Sequence, residues 1–102
     1  MSHLDLLGEA KGIIDDREVL DLSRQLIRIR SQSRHEAAVG KFIFQKLDKW
    51  GLNPREVAVE GNGPDIVAEI GKKKAPAIAF NGHMDTVEVM TGWRHDPYGA
   101  TV

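Results

Sequence analysis

The chain has 102 residues, of which 41% are hydrophobic and 28% charged, enough for one small domain or part of a larger one. Its 14 Lys and Arg against 15 Asp and Glu leave a formal net charge of −1, so nothing in the charge balance calls for nucleic acid or an anionic membrane as partner. Cysteine is absent, which excludes disulfides and thiolate metal sites and leaves His and carboxylates as the only side chains for a metal.

At the N-terminus, Asp5, Glu9, Asp15 and Asp16 interrupt any apolar core, so the segment does not read as a signal peptide. No apolar run reaches membrane-spanning length. A cytoplasmic protein is the expectation.

Leu4, Leu7, Ile13 and Ile14 mark a loosely apolar arm that Gly8 and Gly12 weaken as a helix. Asp15 or Asp16 can cap the next segment, where Val19, Leu22, Leu26 and Ile29 recur at helical spacing. Arg24, Arg28 and Arg30 suit the C-terminal end of that helix, which should close near Arg30 or Ser31. Ser33 and Glu36 form a Ser-x-x-Glu capping box before a second helix, Arg34 to Trp50, with Val39, Phe42, Ile43, Leu47 and Trp50 as its buried stripe. Gly51 stands where a helix ends on a residue of positive φ. His35, in the first turn, reads as solvent-facing.

Beyond Gly51 the period changes. Val57 and Val59 alternate with polar residues as a strand, and residues 60–64 are a turn cluster. Asp65 to Ile70 reads as a second short strand, Gly71 to Pro76 as a turn, and Ala77 to Gly82 as a third and most apolar strand. The basic run Lys72-Lys73-Lys74 falls in that turn and reads as solvated. From Glu88 onward the pattern lapses into a loop, Thr91 to Tyr98, and Gly99 to Val102 looks like the start of another element. The expected order is two helices followed by three strands, an α/β arrangement, in the N-terminal part of a longer protein.

The chemistry sits at the end of the third strand. Asn81-Gly82 is followed at once by His83-Met84-Asp85. In open α/β sheets ligands sit outside the carboxyl ends of strands. If the chain stays extended through Met84, His83 and Asp85 share one side and Met84 points inward. Asp85 could then orient the imidazole, as carboxylates do for metal-bound histidines. His-x-Asp alone is a weak signal, and a backbone-bonded His beside a turn-capping Asp accounts for it as well.

The wider pattern is more specific. Phe80-Asn81-Gly82-His83-Met84-Asp85-Thr86-Val87, followed by Trp93-x-x-Asp96-Pro97-Tyr98, resembles the co-catalytic zinc hydrolases that include acetylornithine deacetylase, succinyl-diaminopimelate desuccinylase, aminoacylase and glutamate carboxypeptidase. Ser31 before the second helix, Glu36 opening it, Trp50-Gly51 closing it and Asp65-Ile66-Val67-Ala68 before the motif agree, so the resemblance runs from about Asp16 to Val102. Two departures, Arg30 and Glu88 where members often carry Pro, touch no ligand position.

The resemblance implies a zinc-exopeptidase-like α/β catalytic domain, of which residues 1–102 would be the N-terminal portion. It implies that His83 ligates one of two zinc ions, with cobalt or manganese as alternatives, and that Asp85 accepts a hydrogen bond from His83 and serves catalysis by holding its ring. Trp93 to Tyr98 would pack beside the site, and His95 is not a ligand position. Two zinc ions about 3.5–4 Å apart share a hydroxide and polarise the scissile carbonyl, while a glutamate base passes the proton to the leaving amine. The substrate would be an N-acyl amino acid or small peptide, and the full-length protein a homodimer, with no nucleic acid or membrane as partner.

A catalytic zinc takes about three protein ligands, and this motif carries one histidine. The other family ligands and the dimerisation domain would lie beyond Val102, so the 102 residues alone are expected to be inactive and to hold zinc weakly. The alternative is a non-catalytic, truncated or degenerate homologue acting through protein contacts. A phosphoesterase reading has no place for Trp93-x-x-Asp96-Pro97-Tyr98.

Overall fold

The computed structural model describes residues 2–72, 74 and 78–102. The chain divides into two compact units, Met1–Arg28 with Arg94–Val102, and Ile29–Trp93. The described residues form a mixed α/β structure with three helices, α1 His3–Ile13, α2 Asp16–Ile27 and α3 Ala37–Lys49, and two strands, β1 Arg55–Val57 and β2 Asp65–Val67.

In the first unit, α1 forms where the sequence predicts only a loose arm. Ser2 caps it by accepting from the Asp5 N–H, and the Asp5 side chain accepts from the Ser2 N–H, a reciprocal capping box. The Ser2 hydroxyl, donating to Asp5 Oδ2 at 2.6 Å, and then the Ser2 N–H hold the Asp5 carboxyl below its usual pKa. This local pairing offsets the propensity cost of Gly8 and Gly12. Asp15 caps α2 by accepting from the Arg17 N–H at 2.9 Å, and the helix stops at Ile27, a little short of the expected Arg30. Its Leu22 and Leu26 are half-buried, whereas Val19 is exposed. The C-terminal turn is tied down locally. Asp96 accepts from the Tyr98 N–H with its side chain and from the Gly99 N–H with its carbonyl, both at 2.9 Å. A Cβ on Gly99 would stand 3.2 Å from that carbonyl, so the turn wants glycine there. Arg24 Nε–H donates to the carbonyl of buried Ala100 at 3.0 Å.

In the second unit, α3 carries the buried positions Val39 and Gly40 and packs against β2. Its C-terminus is a Schellman motif. The Gly51 N–H donates to the Asp48 carbonyl at 2.9 Å and the Leu52 N–H to the Leu47 carbonyl at 3.0 Å, with Gly51 at φ 76°. Lys46 lies over the Trp50 ring at 5.8 Å, one turn apart. β1 and β2 pair antiparallel in the register Arg55↔Val67, Glu56↔Ile66, Val57↔Asp65, and Arg55 meets Glu69 at 3.2 Å. Between them the Asn62 N–H donates to the Val59 carbonyl, with Gly61 at φ 79° in the position a type II turn reserves for glycine.

The third strand expected over Ala77 to Gly82 is corrected. Ala77, with Lys73, Ala75 and Pro76 of the preceding turn, lies outside the described residues, and residues 78–82 are coil without ladder pairing. An apolar run becomes a strand only where a partner edge and a covering face exist. Ile78 is 71% and Phe80 96% exposed, so neither finds such a face. No helix among the described residues is long and apolar enough to cross a membrane.

Candidate functional site

The segment entering α3 and the motif segment are joined by one parallel bridge, Gln32↔Thr86. The Thr86 N–H donates to the Ser31 carbonyl at 2.8 Å, and the Ser33 N–H donates to the Thr86 carbonyl at 3.1 Å. These two bonds set residues 31–33 alongside Asp85. On the inner side, Met84 Sδ lies 3.9 Å from where a Cβ would stand on buried Gly40. That is ordinary van der Waals distance, so Met84 seats against α3 at Gly40. His83 and Asp85 flank Met84 and meet each other on the opposite side.

His83 Nδ1 is 2.8 Å from the Asp85 carbonyl oxygen and 3.1 Å from Asp85 Oδ1. Both are acceptors, so Nδ1 carries the proton and donates to both. In the neutral ring this leaves the lone pair on Nε2, on a side chain that is 84% exposed. The second carboxylate oxygen of Asp85 is also engaged. Ser33 Oγ–H donates to Oδ2 at 2.6 Å, a short, charge-assisted bond. That hydroxyl, more than the neighbouring imidazole, holds the Asp85 carboxyl below its usual pKa, against a smaller opposing effect of burial.

The Ser33–Asp85–His83 chain corrects the expected capping box. α3 starts at Ala37, its N-cap Glu36 makes no side-chain cap bond, and Ser33 spends its hydroxyl on Asp85. Glu36 Oε1 instead accepts from the Arg34 N–H at 2.9 Å. The His35 N–H closes a turn onto the Gln32 carbonyl at 2.8 Å, with Arg34 at φ 72°. A non-glycine residue in that region costs about 1–2 kcal/mol. His35 and His95 are exposed. Trp93, expected to pack, is 64% exposed.

Ser33, Glu36, Ile43, Val59, Phe80 and His83 are among the residues lining an open groove of about 650 Å³. Glu36 Oε2 is buried there without a hydrogen-bond partner. The donor set fits a metal only in part. Nε2 of His83 is an available imidazole nitrogen, but no three His, Asp or Glu among the described residues converge to hold an ion. Ser33 is the member of the site that the sequence did not disclose, because Ser-x-x-Glu has a complete local explanation as a cap.

The chain is similar to curated enzymes over most of its length. It is 26% identical over 91 residues to a probable succinyl-diaminopimelate desuccinylase of Staphylococcus epidermidis, covering 87% of this chain and 22% of that protein. It is 32% identical over 89 residues to a probable carboxypeptidase of Aspergillus flavus, covering 81% of this chain and 21% of that one. The succinyl-diaminopimelate desuccinylase of Acidiphilium cryptum matches at 30% over 87 residues, with 85% and 23% covered. The chain therefore spans about a fifth of the length of these relatives. No family model and no solved structure matches it.

Proposed function

The chain belongs to the peptidase family of the succinyl-diaminopimelate desuccinylases and carboxypeptidases, and from that premise we propose that it supplies one metal-ligating arm of a hydrolase that cleaves amide bonds. In the full-length protein the substrate would be an N-acyl amino acid or a small peptide. The observation that carries this reading is the state of His83, its Nδ1–H shared by two oxygens of Asp85 and its Nε2 turned to an exposed ring edge. A ligating histidine needs this arrangement, because the bond on one nitrogen fixes the tautomer and aims the other.

The one imidazole fits zinc, and cobalt or manganese would accept the same ligand. Bound zinc supplies a hydroxide near neutral pH and polarises a carbonyl. His83 would hold the ion through Nε2. Asp85 would keep the proton on Nδ1 and stop the ring from turning over. The described residues do not complete a ligand set, so the remaining ligands are expected from outside this chain.

In the full-length protein His83→Ala should abolish amide hydrolysis and lower bound zinc. Asp85→Ala should lower activity about 10–100-fold with a smaller loss of zinc. Undiminished hydrolysis by the His83→Ala protein would end this reading.

A further inference from the structure

Ser33 has no part in the family resemblance or in the function proposed above, yet its hydroxyl is the closest contact of the Asp85 carboxylate, at 2.6 Å. We infer that Ser33 is a positioning residue for the His83 imidazole: its hydroxyl anchors one oxygen of Asp85 so that the other faces Nδ1. The inference rests on the proposed role of His83, but the contact it describes exists without metal.

Three observations carry it. The two oxygens of Asp85 are divided, Oδ2 to the Ser33 hydroxyl and Oδ1 to the imidazole, so the carboxylate cannot rotate without breaking one bond. The backbone also sets the pair deliberately, since Ser33 and Asp85 each stand one residue from the bridged pair Gln32 and Thr86. And the contact is long-range. α3 begins only at Ala37, with Glu36 at its N-cap, so Ser33 lies before the helix and not at its cap position. Its hydroxyl meets a carboxylate 52 residues away in the chain.

The inference can be tested on the metal-free protein with ring-nitrogen NMR of ¹⁵N-histidine, assigning His83 by its loss in His83→Gln. The wild-type ring should be mainly the Nδ1–H tautomer. Ser33→Ala should move the tautomer ratio toward Nε2–H by about threefold or more, since a hydrogen bond to a charged group is being released. The shift should be partial, because the Asp85 carbonyl still accepts from Nδ1. Ser33→Thr, which keeps the hydroxyl, should restore the wild-type ratio. The Thr86 amide resonance reports whether the bridge to Ser31 and Ser33 survives.

An unchanged His83 ratio in Ser33→Ala, with the Thr86 amide in place, overturns the inference. Should Ser33→Ala not fold, Ser33→Cys against Ser33→Thr decides it in the same way. A Cys ratio shifted from that of Thr supports the role, and equal ratios overturn it. None of these readouts depends on zinc or hydrolysis. A failed His83→Ala activity test would therefore remove the proposed function while leaving the tautomer result standing, and the converse holds.

Discussion

The two ends of α3 are finished by opposite means. At the C-terminus every bond is local. The N–H groups of Gly51 and Leu52 return to the carbonyls of Asp48 and Leu47, and Gly51 supplies the positive φ at no steric cost. At the N-terminus no side chain caps the helix. Ser33 is bonded to Asp85, Glu36 to the backbone of Arg34, and Arg34 takes a positive φ without being glycine. One end is built for stability and the other for a side chain on a different segment. The difference teaches that a capping residue is not fixed by its sequence context. The Ser33 hydroxyl lies before the observed start of the helix at Ala37 and donates to an ionised carboxylate that the tertiary structure brings within reach.

The comparison can be broken at several points. The largest effect should come from the core that both ends share. Val39 is 4% exposed, and Val39→Ala should cost about 1–3 kcal/mol, read as a lower urea midpoint with the slope unchanged. Gly51→Ala should cost about 1–2 kcal/mol even though nothing stands within 4 Å of the added Cβ, because the penalty lies in φ. If Gly51→Ala is neutral, the local account of the C-terminal end is wrong.

Ser33→Ala should leave the helical signal of α3 almost intact, since no cap is lost, while changing the acid response. The Asp85 carboxyl is held below its usual value in the folded chain. A depressed folded pKa contributes stability above the ordinary carboxylate value, and that contribution is lost as pH falls through the folded value. Wild type should therefore lose more stability than Ser33→Ala on going from neutral pH to below about pH 4. Urea midpoints at both pH values measure this, and equal losses would disconnect Ser33 from Asp85. The smallest effect should be at Arg34. Arg34→Gly relieves the positive φ but adds unfolded-state freedom, so its net change should be within about 1 kcal/mol and in the stabilising direction if strain dominates. A clear loss would mean the Arg34 side chain contributes more than its backbone costs.

Much of this was legible in the sequence. α2 and α3 announce themselves by periodic apolar residues, and Gly51 by its place after Trp50. His83 and Asp85 stand out because two residue types with complementary chemistry follow a glycine directly. What escaped has physical reasons. α1 forms because Ser2 and Asp5 cap each other, a contact that outweighs Gly8 and Gly12 in this setting. The expected third strand failed because the apolar character of Ile78 and Phe80 says nothing about whether a partner edge is present. Ser33 was hidden because its partner lies 52 residues away while a plausible local role lay next to it.

The most direct test of the central claim is a zinc titration of the chain followed through the ring nitrogens of His83. The account predicts that zinc perturbs Nε2, that the Nδ1–H stays on Asp85, and that binding is weak enough to be reversed by dialysis against a mild chelator. Zinc on Nδ1, or stoichiometric zinc retained by His83→Gln as firmly as by wild type, would contradict it.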